Sequence, residues 1–122
     1  MVHIRRNEGR RVAVLEPAGE IDLPLVEAIK NSIAALVQEG YSRLILDCKG
    51  GCRVPYLVSG MLRERVRRLQ AIGGSICVVR TSPTLNHALG AARPPLALPI
   101  FPDEDSALRW LGYSRVGSPR GL

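Results

Sequence analysis

Arg43–Leu62 reads RLILDCKGGCRVPYLVSGML, and the reading of this stretch decides the fold. Leu44–Leu46 is apolar residue after residue and ends on Asp47, the pattern of a central strand covered by helices. Lys49, Gly50, Gly51 and Arg53 follow as a loop, and Pro55 opens a helix, where a missing N–H costs least. A strand–loop–helix junction at the carboxyl end of a strand is where open α/β sheets place their function. Its chemistry is sparse: no histidine, no second carboxylate, and one hydroxyl of note, Ser59. These residues suit a surface that is recognised better than one that catalyses.

Outward from the junction, strands and helices alternate. Arg11–Leu15 reads as a strand bounded by Pro17, and a short second strand includes Glu20–Ile21. Asp22 caps a helix with Pro24 in its first turn, Val26, Ile29, Ile33, Leu36 and Val37 at helical spacing, and Gly40 as its stop. The second helix spans Pro55–Ile72, with Val58, Leu62, Val66, Leu69 and Ile72 as its buried stripe. Gly73-Gly74 ends it, and Ser75–Val79 is the next strand. A weaker helix over Thr81–Leu89, a strand over Ala97–Ile100 and a helix over Pro102–Leu111 complete the order, the last with the acidic first turn Asp103-Glu104-Asp105. The expectation is one α/β domain: a mixed, mostly parallel β-sheet of about five strands with about four helices packed mainly on one face. Residues 1–112 form the domain, and 113–122, rich in Gly, Ser, Pro and Arg, are read as a disordered tail.

Composition narrows the function. The chain has 122 residues, 46% hydrophobic but only 4% aromatic, so its core is aliphatic. No apolar run of about eighteen residues is present, and the N-terminus carries charge without an apolar segment behind it, so neither a membrane span nor a signal peptide is expected. Three cysteines, Cys48, Cys52 and Cys77, read as reduced thiols of a cytoplasmic protein. Cys48 and Cys52 would need two more ligands for a zinc site, and no metal or other cofactor is expected. The net charge of +6 comes from 17 basic and 11 acidic residues, with arginines clustered near the N-terminus and at Arg63, Arg65, Arg67 and Arg68. No aromatic residue interleaves with them, so nucleic acid is not the expected partner, and the N-terminal cluster reads as a solvated surface.

Four segments, in this order and spacing, resemble the STAS domain, which anti-sigma factor antagonists share with the cytoplasmic ends of sulphate transporters. They are Gly19-Glu20-Ile21-Asp22, the strand ending at Asp47, Gly73-Gly74 with the strand SICVV, and Phe101–Leu108 (FPDEDSAL). The resemblance implies a regulatory protein-binding module whose partner is an anti-sigma factor or switch-type serine kinase. In the family a serine at the start of the second helix, usually within D-S-S-G, is phosphorylated, and its negative charge releases the partner. Counted back from Gly73-Gly74, those positions hold Pro55, Tyr56, Leu57 and Val58; a gapped match puts Ser59 at the hydroxyl, and the plain alternative is a helix-surface serine. The resemblance sets Asp22 and Asp47 near the phosphorylated position, with helix capping and a strand-end turn as their structural alternatives.

The expected partner surface is Asp22, Asp47, Lys49, Arg53, Tyr56, Ser59, Arg63 and Arg67. Competing expectations are a constitutive STAS subunit of a transporter ATPase complex or signalling assembly, and a module sensing a nucleotide or lipid at the Lys49-Gly50-Gly51 turn. An enzyme is not expected, because no nucleophile–base or paired-carboxylate arrangement stands out. A homodimer is a further candidate assembly.

Overall fold

The apolar runs of the sequence become a five-stranded sheet in the order β1-β2-β3-β4-β5. The computed structural model describes residues 2–17, 23–48, 63–80 and 99–114. Its elements are β1 (Val2–Asn7), β2 (Val12–Pro17), α1 (Leu23–Gln38), β3 (Arg43–Asp47), α2 (Arg63–Ala71), β4 (Ser75–Val79), β5 (Ile100–Phe101) and α3 (Glu104–Ser114). β1 pairs antiparallel with β2, and the remaining neighbours run parallel. This is the mixed, mostly parallel α/β sheet expected from the sequence.

Successive side chains of β2, β3 and β4 are buried on opposite faces, which is why these strands read as continuous apolar runs. Ala13, Leu15, Leu44, Leu46, Ile76 and Val78 pack on one face with Val26, Ile29, Ile33 and Leu36 of α1 and Val66 and Leu69 of α2. Val12, Val14, Ile45, Cys77 and Val79 pack on the other against Ala107 and Leu111 of α3. Among the described residues, two helices therefore cover one face and one covers the other.

The helix stops follow backbone chemistry. Gly40 has φ of 97° and Gly73 has φ of 83°, values that favour glycine. Tyr41 N–H donates to the Leu36 carbonyl at 2.8 Å, and Gly74 N–H donates to the Leu69 carbonyl at 2.9 Å, so each helix closes in a Schellman-type turn. Gly74 also permits close approach. A Cβ there would lie 2.5 Å from Leu69 Cδ1 and 2.7 Å from the Ser42 carbonyl oxygen.

Several boundaries differ from the expectation. The initial hairpin is made by Val2–Asn7 and Val12–Pro17, so Arg5 and Arg6 of the N-terminal arginine cluster lie on an edge strand and Arg10 and Arg11 in the turn after it. The expected strand over Glu20–Ile21 and helix over Thr81–Leu89 lie outside the described residues, as do the first eight residues of the expected helix from Pro55. The last strand is described at Ile100–Phe101, with Ala97 and Leu98 of the expected strand outside the described residues, and α3 continues to Ser114, inside the segment expected as tail from residue 113.

The arginines of β1 are neutralised within the fold. Arg5 reaches Glu16 at 3.3 Å and Glu104 at 2.7 Å, and Arg6 grips Glu39 through two bonds of 2.8 and 3.0 Å. Arg11 lies 4.6 Å from the Tyr41 ring centre and donates to the carbonyls of Glu39 and Gly40 at the end of α1. Arg5, Arg6, Arg10 and Arg11 all remain exposed, and Arg5, Arg6 and Arg11 also tie the edge hairpin to the helices.

Asp103 caps α3, accepting the Ser106 N–H at 2.8 Å. That hydrogen bond is the main reason its carboxyl is held below its ordinary value of 3.8. A lowered folded pKa stabilises the protein above the unfolded value, and the gain is lost as pH falls through the folded value. Asparagine keeps the acceptor but does not titrate. The stability difference between wild type and Asp103→Asn should therefore be constant above about pH 5 and narrow as the carboxyl protonates. Urea titrations across this range read it directly.

Candidate functional site

The parallel register sets Asp47 of β3 beside Val79 of β4, so the next residue, Arg80, emerges next to the carboxylate. Asp47 is fully buried. Arg80 Nε donates to Asp47 Oδ1 at 3.1 Å, and Arg80 Nη2 donates to Oδ2. This is a two-pronged guanidinium–carboxylate contact, the geometry for which arginine is best suited. Asp47 raises the Arg80 pKa above its usual value, mainly through the hydrogen bond. Arg80 itself has φ of 55°, a strained value for a residue with a Cβ, and its N–H donates to the Phe101 carbonyl at 3.3 Å. Cys48 N–H donates to the Val79 carbonyl at 3.1 Å, extending the ladder one residue past β3. The carboxyl ends of β3, β4 and β5 are thus locked together at the point where the chain leaves the sheet.

The ion pair is asymmetric. Asp47 has no exposed surface, whereas the Arg80 side chain is 42% exposed. The carboxylate serves as an anchor, and the guanidinium is the part of the pair that a partner can touch. Arg80 was not among the expected site residues. The available signal was an arginine closing SICVV, one place beyond the residue in register with Asp47.

The remaining expected residues fall into two groups. Asp22, Lys49, Arg53, Tyr56 and Ser59 lie outside the described residues. Arg63 and Arg67 are on α2, the first half-buried and the second exposed. α2 reads RERVRRLQA, four arginines against a single glutamate. Glu64 pairs with Arg68 at 3.3 Å on the exposed side of the helix, a contact worth only a few tenths of a kcal/mol, about 0.3–0.5. The helix surface is therefore strongly cationic.

Cys48 and Cys77 are both buried. Burial pushes the Cys77 thiol up to about 12. Among the described residues, no group of three His, Cys, Asp or Glu side chains is gathered for a metal ion, and no helix is long and apolar enough to cross a membrane.

A model of the STAS domain family matches residues 3–107 of the chain. An anti-sigma factor antagonist from Mycobacterium paratuberculosis is similar in structure, with a TM-score of 0.73, 21% identity, and 92% of this chain and 93% of that chain covered. The anti-sigma factor antagonist SpoIIAA in its unphosphorylated form has a TM-score of 0.66 at 19% identity, with 100% of each chain covered. The Bacillus cell fate determinant SpoIIAA in the phosphorylated form has a TM-score of 0.63 at 21% identity, covering 90% of this chain and 99% of that chain. At such identities the likeness carries the fold. No curated protein sequence matches the chain.

Burial keeps the Cys77 thiol out of reach and holds it protonated near pH 8. Iodoacetamide should leave Cys77 unlabelled in the native protein and label it after unfolding, as peptide mass spectrometry would show. Native labelling as fast as that of the unfolded chain would contradict this picture of the core.

Proposed function

This chain belongs to the STAS domain family, and from that premise we propose that it is a regulatory protein-binding module of the anti-sigma factor antagonist type. Its partner is an anti-sigma factor or switch-kinase-type ATPase, engaged in the cytoplasm, and the chain contributes recognition and no catalysis of its own. The observation that carries this reading is the junction's construction: a buried Asp47 anchor, an exposed Arg80, and a helix bearing Arg63 and Arg67 against a single acid. Such a surface is rigid at its base and cationic at its rim, which favours docking of an acidic patch.

Asp22, Lys49, Arg53, Tyr56 and Ser59 complete the proposed surface. Ser59 is the candidate phosphorylated hydroxyl, since Pro55-Tyr56-Leu57-Val58 stand where the family's D-S-S-G motif is expected. A phosphate brings close to two negative charges. On a surface so rich in arginine, some of that charge is met by local cations, so phosphorylation weakens partner binding less than it would on a neutral face.

The test is capture of partners from native lysate with wild type and with the Arg63→Glu/Arg67→Glu variant, followed by titration of the captured ATPase. Wild type should retain it, and the charge reversal should weaken its binding at least tenfold, about 1.4 kcal/mol. Unchanged retention by the variant would remove the α2 face from the partner surface. Incubation with ATP and the captured kinase, followed by mass spectrometry, then reads whether Ser59 takes the phosphate.

A further inference from the structure

α1 and α2 do not close completely against each other. Between them lies an open groove of about 260 Å³, lined by Ile33 and Val37 of α1, Leu69, Arg65 and Arg68 of α2, and Ile72 just beyond it. Ile33 and Leu69 form its floor, being 1% and 2% exposed, whereas Ile72 is 60% exposed. A large aliphatic side chain left this open on the wall of a groove loses the gain that its burial would bring.

The α2 bank adds a second demand. Arg65 Nε is buried and has no hydrogen-bond partner among the described residues. The Nε itself has no exposed surface, so an acceptor arriving from outside would meet the terminal nitrogens of this guanidinium. Arg68 sits one turn away and holds only the exposed Glu64. Among the described residues, no carboxylate lines the groove. Ile72 supplies exposed aliphatic surface beside the groove, and Arg65 and Arg68 supply two guanidiniums that match carboxylates.

We propose that the α1–α2 groove docks an acidic amphipathic helix of a protein partner, with leucine-type side chains over Ile33, Leu69 and Ile72 and carboxylates on Arg65 and Arg68. Recognition of this kind uses apolar anchors at i, i+3, i+4 and i+7. A second copy of the chain fits poorly, because it would bring the same arginine bank against this one. An inorganic anion would leave Ile72 uncovered. The groove is distinct from the partner surface proposed above, since neither Arg63 nor Arg67 lines it. The inference does not depend on that reading.

The experiment is a titration, followed by amide NMR, of the full chain with three probes. The first is a synthetic helical peptide with leucine at i, i+3, i+4 and i+7 and glutamate on its flanks. The second carries lysine in place of each glutamate, and the third is dodecanoate. The glutamate peptide should bind and shift the amides of Val37, Leu69 and Ile72. Its affinity should fall at least tenfold in Arg65→Gln/Arg68→Gln and in Ile72→Glu, each checked for an unchanged fold by its amide spectrum. Arg63→Gln/Arg67→Gln should weaken the same peptide less than Arg65→Gln/Arg68→Gln does, which separates the groove from the other surface. Equal binding of the lysine peptide, dodecanoate binding in place of the peptide, or no binding of any probe would overturn the proposal.

Discussion

Everything at the working end of this domain depends on one buried carboxylate. Asp47 closes the central strand with no exposed surface, and removing a charge from water in this way costs several kcal/mol unless it is well paired. Arg80 meets it with two hydrogen bonds from the adjacent strand end. Arg80 also sits at a positive φ that a residue with a Cβ rarely adopts. One interaction thus joins β3 to β4 and leaves a guanidinium at the surface. Pairs of this type are rarely the most stabilising option, and a same-sized apolar pair could serve the core as well. The arrangement makes better sense as a means of holding a charged group in one place.

Charge is distributed by the same economy. Arg5 and Arg6 of β1 meet Glu16, Glu39 and Glu104, and Arg11 in the turn after it meets the carbonyls that end α1, so they tie the edge hairpin to the helices. Among the described residues, the four arginines of α2 share one acid on their own helix, although arginine is equally dense in both segments of sequence. Net charge alone did not distinguish these regions; pairing did.

Much of the architecture was legible in the sequence because its causes are local. Leu44–Leu46 and Ser75–Val79 announce buried parallel strands by unbroken apolar runs, and Val26, Ile29, Ile33 and Leu36 announce α1 by their spacing. Gly40 and Gly73 mark the helix stops by a backbone need that glycine meets most easily. β1 was not legible. An edge strand with Val2 and Ile4 as its only apolar residues has the composition of a solvated arm, and only its pairing with β2 makes it a strand. Arg80 was missed for a related reason: its partner lies 33 positions away in the chain, and only the β3–β4 register brings them together.

The central claim, that Asp47 and Arg80 act as one unit, is tested most directly by a double-mutant cycle. Asp47→Ala, Arg80→Ala and the double variant would be unfolded in urea beside wild type. The account predicts that each single change is strongly destabilising and that the double costs less than their sum, with a coupling of about 2 kcal/mol or more. Costs that add within about 0.5 kcal/mol would show that the two residues stabilise the fold independently and would contradict it.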